Sequence, residues 1–424
     1  MKGIILFLIV LSLPILARGQ DQSRSHSGAP DFSISLEKIL SRSIDISLAE
    51  QNLDLVRAKN IPSRYTFFPT LSLTGAFPLS NNFITSSQSI AITSKWNLFR
   101  WGADYVGLLA AISSEEVQKF TVDSAVIVAE QSAILALITE IQKIKEVRIY
   151  SRVVKSQLEL MEIALERYKK GLLPEQEVQK LKVDLANAKA NLADSEMSEA
   201  QARAQVESLL GEAGIQEEWP WIEELKRGQG RVILEEEFQL SKTPDWNSAK
   251  KELEAQIDRL SQNWRLLFPS LDAQFSYGNY SGFFGSFTGW TGMLVVSVPL
   301  FDQFTNYSNA KAQSYLKASS ETKVEKVQRD AKSRWQASRV NFQTAMETAL
   351  AREETLALSQ QLYQDNLRRF QAGRATANDL TIDRTRMNSA ELFAVQGWAA
   401  VHIQFAGLCH SLGYRISRCL SISQ

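Results

Sequence analysis

The sequence predicts a mainly α-helical chain with a small β part, built as two similar halves. Three observations carry this: an internal duplication, two proline-free helical stretches of about seventy residues, and four short segments of alternating polarity. At 1.5 Å per residue each long stretch reaches roughly 100 Å, too long for a compact domain. The alternating segments have the roughly ten-residue length of a tilted membrane-spanning strand. Four are too few to close a sheet, so a barrel needs several chains. A soluble sandwich fits the same alternation.

Composition narrows the function. The chain has 424 residues, with Lys+Arg 47 and Asp+Glu 47. This even balance argues against a nucleic-acid partner. Hydrophobic residues at 44% and charged residues at 22% exclude a disordered chain. Two cysteines exclude a disulfide scaffold and a thiolate-built metal site.

Residues 1–19 read as a secretory signal: Lys2, an apolar run from Gly3 to Leu16, then Ala17 and Gly19 before a cut. A membrane anchor is the other reading, but the run is shorter than the ~20 residues that span a bilayer. No cysteine follows the cut to carry lipid. Residues 20–33 form a polar, flexible segment containing His26. The remainder has no other apolar run near spanning length, so membrane insertion would require strands closed into a barrel.

The first repeat covers 34–211 and the second 243–413, separated by a charged segment at 212–242 and followed by a tail at 414–424. At an offset of 200, Asp45 meets Asp245, Leu53 meets Leu253 and Phe68-Pro69-x-Leu71 meets Phe268-Pro269-x-Leu271. At an offset of 202, Leu98-Phe99 meets Leu300-Phe301, Gly171 meets Gly373 and Leu210-Gly211 meets Leu412-Gly413. A hairpin loop between Leu71 and Leu98 absorbs the slip.

Each half opens with a helix, Ser35 to Arg64 and Asp245 to Leu267, the first ended or kinked by Pro62. Strands follow at Phe67 to Leu79, Ser89 to Leu98, Leu271 to Tyr280 and Trp290 to Leu300. Phe283, Phe284, Phe287 and Trp290 have the makings of an aromatic girdle. The long helices run from Trp101 to Lys170 and from Phe304 to Ala372, and the return helices from Pro174 to Leu210 and from Thr376 to Leu412. A leading plus a return helix nearly equals one long helix, so two short helices stack end to end beside each long one. Trp398, Val401, Phe405, Leu408 and Leu412 form a narrow seam, as do Leu181, Leu185, Ala188 and Leu192. Such thin apolar stripes suit the wall of a water-filled tube; a coiled-coil rod has the same periodicity.

The turns between long and return helices also match. Tyr168-x-x-Gly171-Leu172-Leu173-Pro174 corresponds to Phe370-x-x-Gly373-Arg374-Ala375-Thr376, with glycine as the helix stop. Thr376 and Asp379 have capping-box spacing, with Asp in place of the usual Glu or Gln. Capping therefore fits Asp379 at least as well as a gating role.

In this order and duplication the landmarks resemble the TolC family of outer-membrane efflux proteins, over roughly Leu36 to Gly413. The carrying residues are the two Phe-Pro-x-Leu entries, Val298-Pro299-Leu300-Phe301-Asp302, the two tip turns and the two closing Leu-Gly pairs. The resemblance implies a homotrimer whose four strands per chain make one 12-stranded transmembrane β-barrel. A long periplasmic α-helical barrel continues it. It implies a passive outer-membrane channel of a tripartite efflux or type I secretion system in a Gram-negative cell, with most of the mass in the periplasm. A periplasmic adaptor would dock at Gly171, Leu172, Leu173, Pro174, Gly373, Arg374, Ala375 and Thr376 and link the channel to an inner-membrane pump.

It further implies a pore constriction at Asp379, six residues after Gly373, and at Asp383. The family's second acidic position is Ile382 here, and Asp383 follows it. An acidic ring would favour cations and be blocked by multivalent ones. Phe370 replaces the family's tip tyrosine, and Gln303-Phe304 replaces a Gly-Gly pair. A periplasmic coiled-coil adaptor or scaffold is the rival reading.

No enzyme, cofactor or metal is expected. The histidines are His26, His402 and His410, and the last two fit packing or solvent roles on the final helix. Cys409, His410 and Cys419 lack metal-ligand spacing. A Cys409–Cys419 disulfide and two separate thiols both fit. Gly228-Gln229-Gly230 has no strand–helix context for binding phosphate.

Overall fold

A computed structural model describes residues 32–76, 88–171, 173–210, 220, 225, 234, 237–282, 285–300, 302–372, 374 and 376–422. The expected signal, Phe283, Phe284 and Gly228 to Gly230 lie outside this set, as do the side chain of Phe287 and most of the inter-repeat segment.

Helices α1 (Phe32–Arg42) and α2 (Ile44–Arg64) lead into strands β1 (Thr70–Ala76) and β2 (Gln88–Phe99). The long helix α3 (Ala103–Lys169) and its return α4 (Glu175–Leu210) complete the first half. The second half repeats the plan with α5 (Pro244–Arg265), β3 (Ser270–Gly282), β4 (Gly285–Ser297), α6 (Thr305–Gln371) and α7 (Ala377–Ser411). A short helix, α8 (Ile416–Ile422), follows within the tail.

Several expected boundaries move. The first leading helix divides at Ser43, which caps α2 by accepting from Ile46 N–H at 3.5 Å. Pro62 does not end α2. It lies within the helix's last turn, where only one intrahelical donor is lost. Both long helices start later than expected because the residues before them are left-handed: Trp101 has φ 54°, Gln303 55° and Phe304 61°. Strand β4 begins at Gly285 rather than Trp290 and ends before Pro299, which has no N–H for the ladder. Spanning-length apolar stretches do occur, in α3 and α7. About half of each is buried inside the chain, 50% and 56%, so that surface is used in helix packing.

The strands form one antiparallel sheet in the order β1-β2-β3-β4. Its register puts Leu73, Ile92, Tyr277 and Trp290 in one row, and Ala273 beside Leu294 in another. Leu71, Leu73, Ile92, Phe275, Tyr277, Trp290, Leu294 and Val296 thus share a face. It is exposed: Trp290 by 76% and Leu294 by 69%. The opposite face carries Thr93, Lys95, Asn97, Asp272, Gln274 and Ser276. The alternation therefore places large apolar side chains where none of the described residues covers them. Gly278 lies opposite Ala91, and a Cβ there would come within 2.5 Å of the Ala91 Cβ, so strands β2 and β3 approach closely on the polar face.

Helices α2 and α4 both pack along α3, and α1 touches α4, so the short helices meet end to end beside the long one. Along α6 lie α5 and α7, which also contact α3 and join the halves. The main apolar core sits where these helices meet. Ile134, Leu137, Ile138 and Ile141 of α3 pack with Phe342 of α6 and with Trp398, Val401, Phe405 and Leu408 of α7. Every residue of the expected second seam is buried there. In the first seam Ala188 is buried, while Leu181, Leu185 and Leu192 are half-buried.

The C-terminal helix is tied to this core. Cys409 and Cys419 form a disulfide. Buried Glu130 of α3 accepts from Ile416 N–H at 3.1 Å and pairs with His410 Nε2 at 2.9 Å. His402 is fully buried between the backbone carbonyls of Trp398 and Pro220, and burial lowers its pKa.

Candidate functional site

The two helix-to-helix turns lie at the end away from the sheet. Gly171, at φ 70°, stops α3 and donates its N–H to Tyr168 O at 2.9 Å. Leu173 is half-buried and Pro174 precedes α4; Leu172 is outside the described residues. At the second turn Arg374 N–H reaches back to Arg369 O at 2.8 Å, while Gly373 and Ala375 are outside the described residues. Lys180 Nζ donates to Asn378 Oδ1 at 2.7 Å and brings the start of α4 beside the start of α7.

Thr376 caps α7. Its hydroxyl accepts from Asp379 N–H at 3.2 Å, and Asp379 Oδ2 accepts from Thr376 N–H at 3.1 Å, so the capping box is complete. Asp379 is exposed, and the Thr376 hydroxyl, then its backbone N–H, hold the carboxyl below its ordinary pKa. It thus carries a full negative charge at neutral pH while serving as the cap.

Asp383 lies one helical turn further on but is buried. Its Oδ1 accepts from Arg386 Nη1 at 2.9 Å, and its Oδ2 accepts from Asn366 of α6. Its charge is therefore paired within the hairpin. Ile382, at the family's second acidic position, is 49% exposed.

Both aspartates border a cavity of about 390 Å³, also lined by Asn366, Arg369, Arg374, Ile382 and Arg386. Arg369 and Arg386 are residues that the sequence reading omitted, while Arg374 was expected only as a docking residue. Two signals pointed to the omitted pair: the i, i+3 spacing of Asp383 and Arg386, and the basic last turn of α6 with Arg368 and Arg369. Next to Asp383, Arg384 is 4% exposed, with no hydrogen-bond partner for Nε or Nη2; burial lowers its pKa.

At the other end, the polar sheet face holds a second charged group. Asp272 lies 3.9 Å from Lys95 Nζ and 3.8 Å from Arg100 Nη2, and Arg100 is 3.7 Å from Asp104. The strand-to-helix junction is fastened beside it. Trp101 Nε1 donates to Pro269 O at 2.8 Å, and Arg265 Nη1 donates to Trp101 O at 2.9 Å. Among the described residues no group of three or more His, Cys, Asp or Glu side chains could hold a metal ion.

Solved structures share this architecture. The outer membrane protein VceC of Vibrio cholerae aligns with a TM-score of 0.74 at 14% identity, covering 90% of this chain and 95% of that one. The MtrE outer membrane channel of Neisseria gonorrhoeae, in its open state, aligns with a TM-score of 0.75 at 18% identity, covering 90% and 88%. The CmeC outer membrane channel of Campylobacter jejuni aligns with a TM-score of 0.74 at 12% identity, covering 95% and 94%. No curated protein sequence matches the chain. The profile of the outer membrane efflux proteins matches residues 35–212 and 239–414, most of both halves. On that match, the chain belongs to the outer membrane efflux protein family.

Proposed function

We propose that three copies of this chain assemble into the outer-membrane channel of a tripartite efflux or type I secretion system. The observation that carries this is the four-stranded sheet. Its outer strands, β1 and β4, each have one neighbour among the described residues, and its apolar face is exposed. Unsatisfied strand edges and an uncovered apolar face are costly in water, and open edges are not tolerated in lipid. Pairing β4 of one copy with β1 of the next removes the edges and turns the apolar face outward. Three copies give twelve strands, and Lys95, Asp272 and Gln274 then line the bore. The helices continue that wall into the periplasm, where most of the mass lies.

The channel is a passive conduit in this reading. A periplasmic adaptor, coupled to an inner-membrane pump, docks at the tip turns around Gly171 to Pro174 and Gly373 to Thr376. Asp379 and Asp383 lie at the constriction. Opening separates the α6–α7 hairpins, and the adaptor drives it only as far as it binds the open arrangement more tightly.

Unheated outer-membrane fractions run on a denaturing gel test the assembly. A heat-sensitive band of three chains, with β-sheet signal in the detergent extract, is expected. A detergent-free, purely helical monomer would sink the proposal and favour a periplasmic scaffold.

A further inference from the structure

The mouth formed by the second tip turn is charged against expectation. Its cavity is lined by three arginines, Arg369, Arg374 and Arg386, and two aspartates, Asp379 and Asp383. Both carboxylates are engaged within the chain: Asp383 with Arg386 and Asn366, Asp379 with the cap at Thr376. Arg369 and Arg374 have no ion-pair partner among the described residues, although they line the same cavity. Arg368, beside them, is directed instead to Asp365 at 3.9 Å.

We propose that this cavity is a binding site for the anionic group of a small-molecule cargo, a phosphate, sulfate or carboxylate. The proposal rests on the reading above, in which the second tip turn lines the entrance. Two arginines that line one cavity without an ion pair among the described residues are suited to forked hydrogen bonds to a tetrahedral or planar oxyanion. Asp379 keeps its charge, yet three arginines against two aspartates still leave the cavity lining with one positive charge in excess. Half-exposed Ile382 gives the adjoining wall an apolar surface, which suits a cargo with an apolar body beside its charged group. At about 390 Å³ the cavity holds an anionic headgroup rather than a folded segment. In the three-chain assembly the site occurs three times around the axis. Its positive excess then offsets the cation preference that an acidic ring alone would give.

The test uses the full-length protein in detergent micelles, titrated with inorganic pyrophosphate by calorimetry at low ionic strength. Saturable binding is expected, weakening as salt is added. The double variant Arg369→Ala/Arg374→Ala should bind at least on the order of tenfold more weakly. Arg369→Lys/Arg374→Lys, which keeps the charge and guards against misfolding, should retain most of the affinity. Absence of saturable binding, or an alanine variant that binds as tightly as the wild type, would overturn the proposal.

Planar-bilayer recordings separate this proposal from the channel reading. Under a KCl gradient the alanine variant should shift its reversal potential towards cation selectivity, and an unchanged potential counts against the site. A wild-type protein that binds pyrophosphate but carries no current would overturn the channel reading and leave the anion site standing. If the arginines served only an adaptor's acidic side chains, neither pyrophosphate affinity nor selectivity of the isolated channel would change.

Discussion

Glu140 of α3 has 2% of its surface exposed, and its Oε2 has no hydrogen-bond partner. Burial pushes its pKa up to about 7; Arg203 pulls the other way, and Glu199 and Glu207 push further up. The unfolded chain ionises this group near 4.5, so the folded chain holds the proton more tightly. Burial carries no charge penalty below pH 4.5. The penalty grows between pH 4.5 and 7 and is complete above 7. Glu140→Gln should therefore raise the melting temperature at pH 8 and leave it nearly unchanged at pH 5, as read by thermal denaturation in detergent. An equal shift at both pH values would show that the residue's ionisation does not matter. Asp379 has the opposite sign. Its lowered pKa means that its capping contribution persists through the neutral range and is lost only as the pH falls below the ordinary carboxylate value.

The fate of the two tip aspartates was only half legible at this scale. Thr376 and Asp379 advertise a capping box by their spacing, and the box forms. Asp383 is four residues along the same helix and shares a face with Asp379 by periodicity. Its burial depends on Asn366, seventeen residues earlier across a turn, and no local pattern announces that partner. The pairing of Cys409 with Cys419 was likewise undecidable from two cysteines ten residues apart. It became definite only when Gly413 and Tyr414 turned the chain back and brought α8 onto the core.

Among the elements, the strand-to-helix junctions carry the clearest strain. Trp101, Gln303 and Phe304 occupy the left-handed region, which costs roughly 1–2 kcal/mol per non-glycine residue. At the first junction Gly102, at φ 74°, takes one such position without that cost, and Trp101 is held by two hydrogen bonds and by Phe99 and Phe268, with ring centroids at 5.3 and 5.4 Å. Gln303→Gly should stabilise the junction by about 1 kcal/mol, seen as a higher urea midpoint with an unchanged slope. A lower midpoint would mean that the glutamine side chain supplies more than its backbone strain costs. Element type was legible because the periods of 3.6 and 2 differ and because prolines are absent from the long helices. The junctions were not, since left-handed tryptophan, glutamine and phenylalanine run against every local preference.

For the whole molecule, the two sheet faces make the sharpest prediction. Leu294 and Gln274 lie on adjacent paired strands but on opposite faces. Leu294→Arg would place a charge against lipid, at a cost of about 2–4 kcal/mol near the bilayer midplane. Gln274→Arg would place the same charge in a wet bore at little cost. Quantifying assembled protein in outer-membrane fractions should show a marked loss for the first substitution and near-normal levels for the second. Equal levels would mean that the apolar face does not meet lipid.

The sequence by itself determined the duplicated plan, the long and return helices, the narrow apolar seams and the two-faced strands. All of these follow from periodicity and chain direction, which act over a few turns or a few strand residues. Tertiary structure alone decided which charges are free at the second tip. The α6–α7 hairpin buries one aspartate against Arg386 and Asn366, turns the other back onto its own helix start, and leaves Arg369 and Arg374 beside an open cavity. Charge at an entrance is a sum over side chains brought together from two helices and a turn, and that sum exists only after the hairpin has packed.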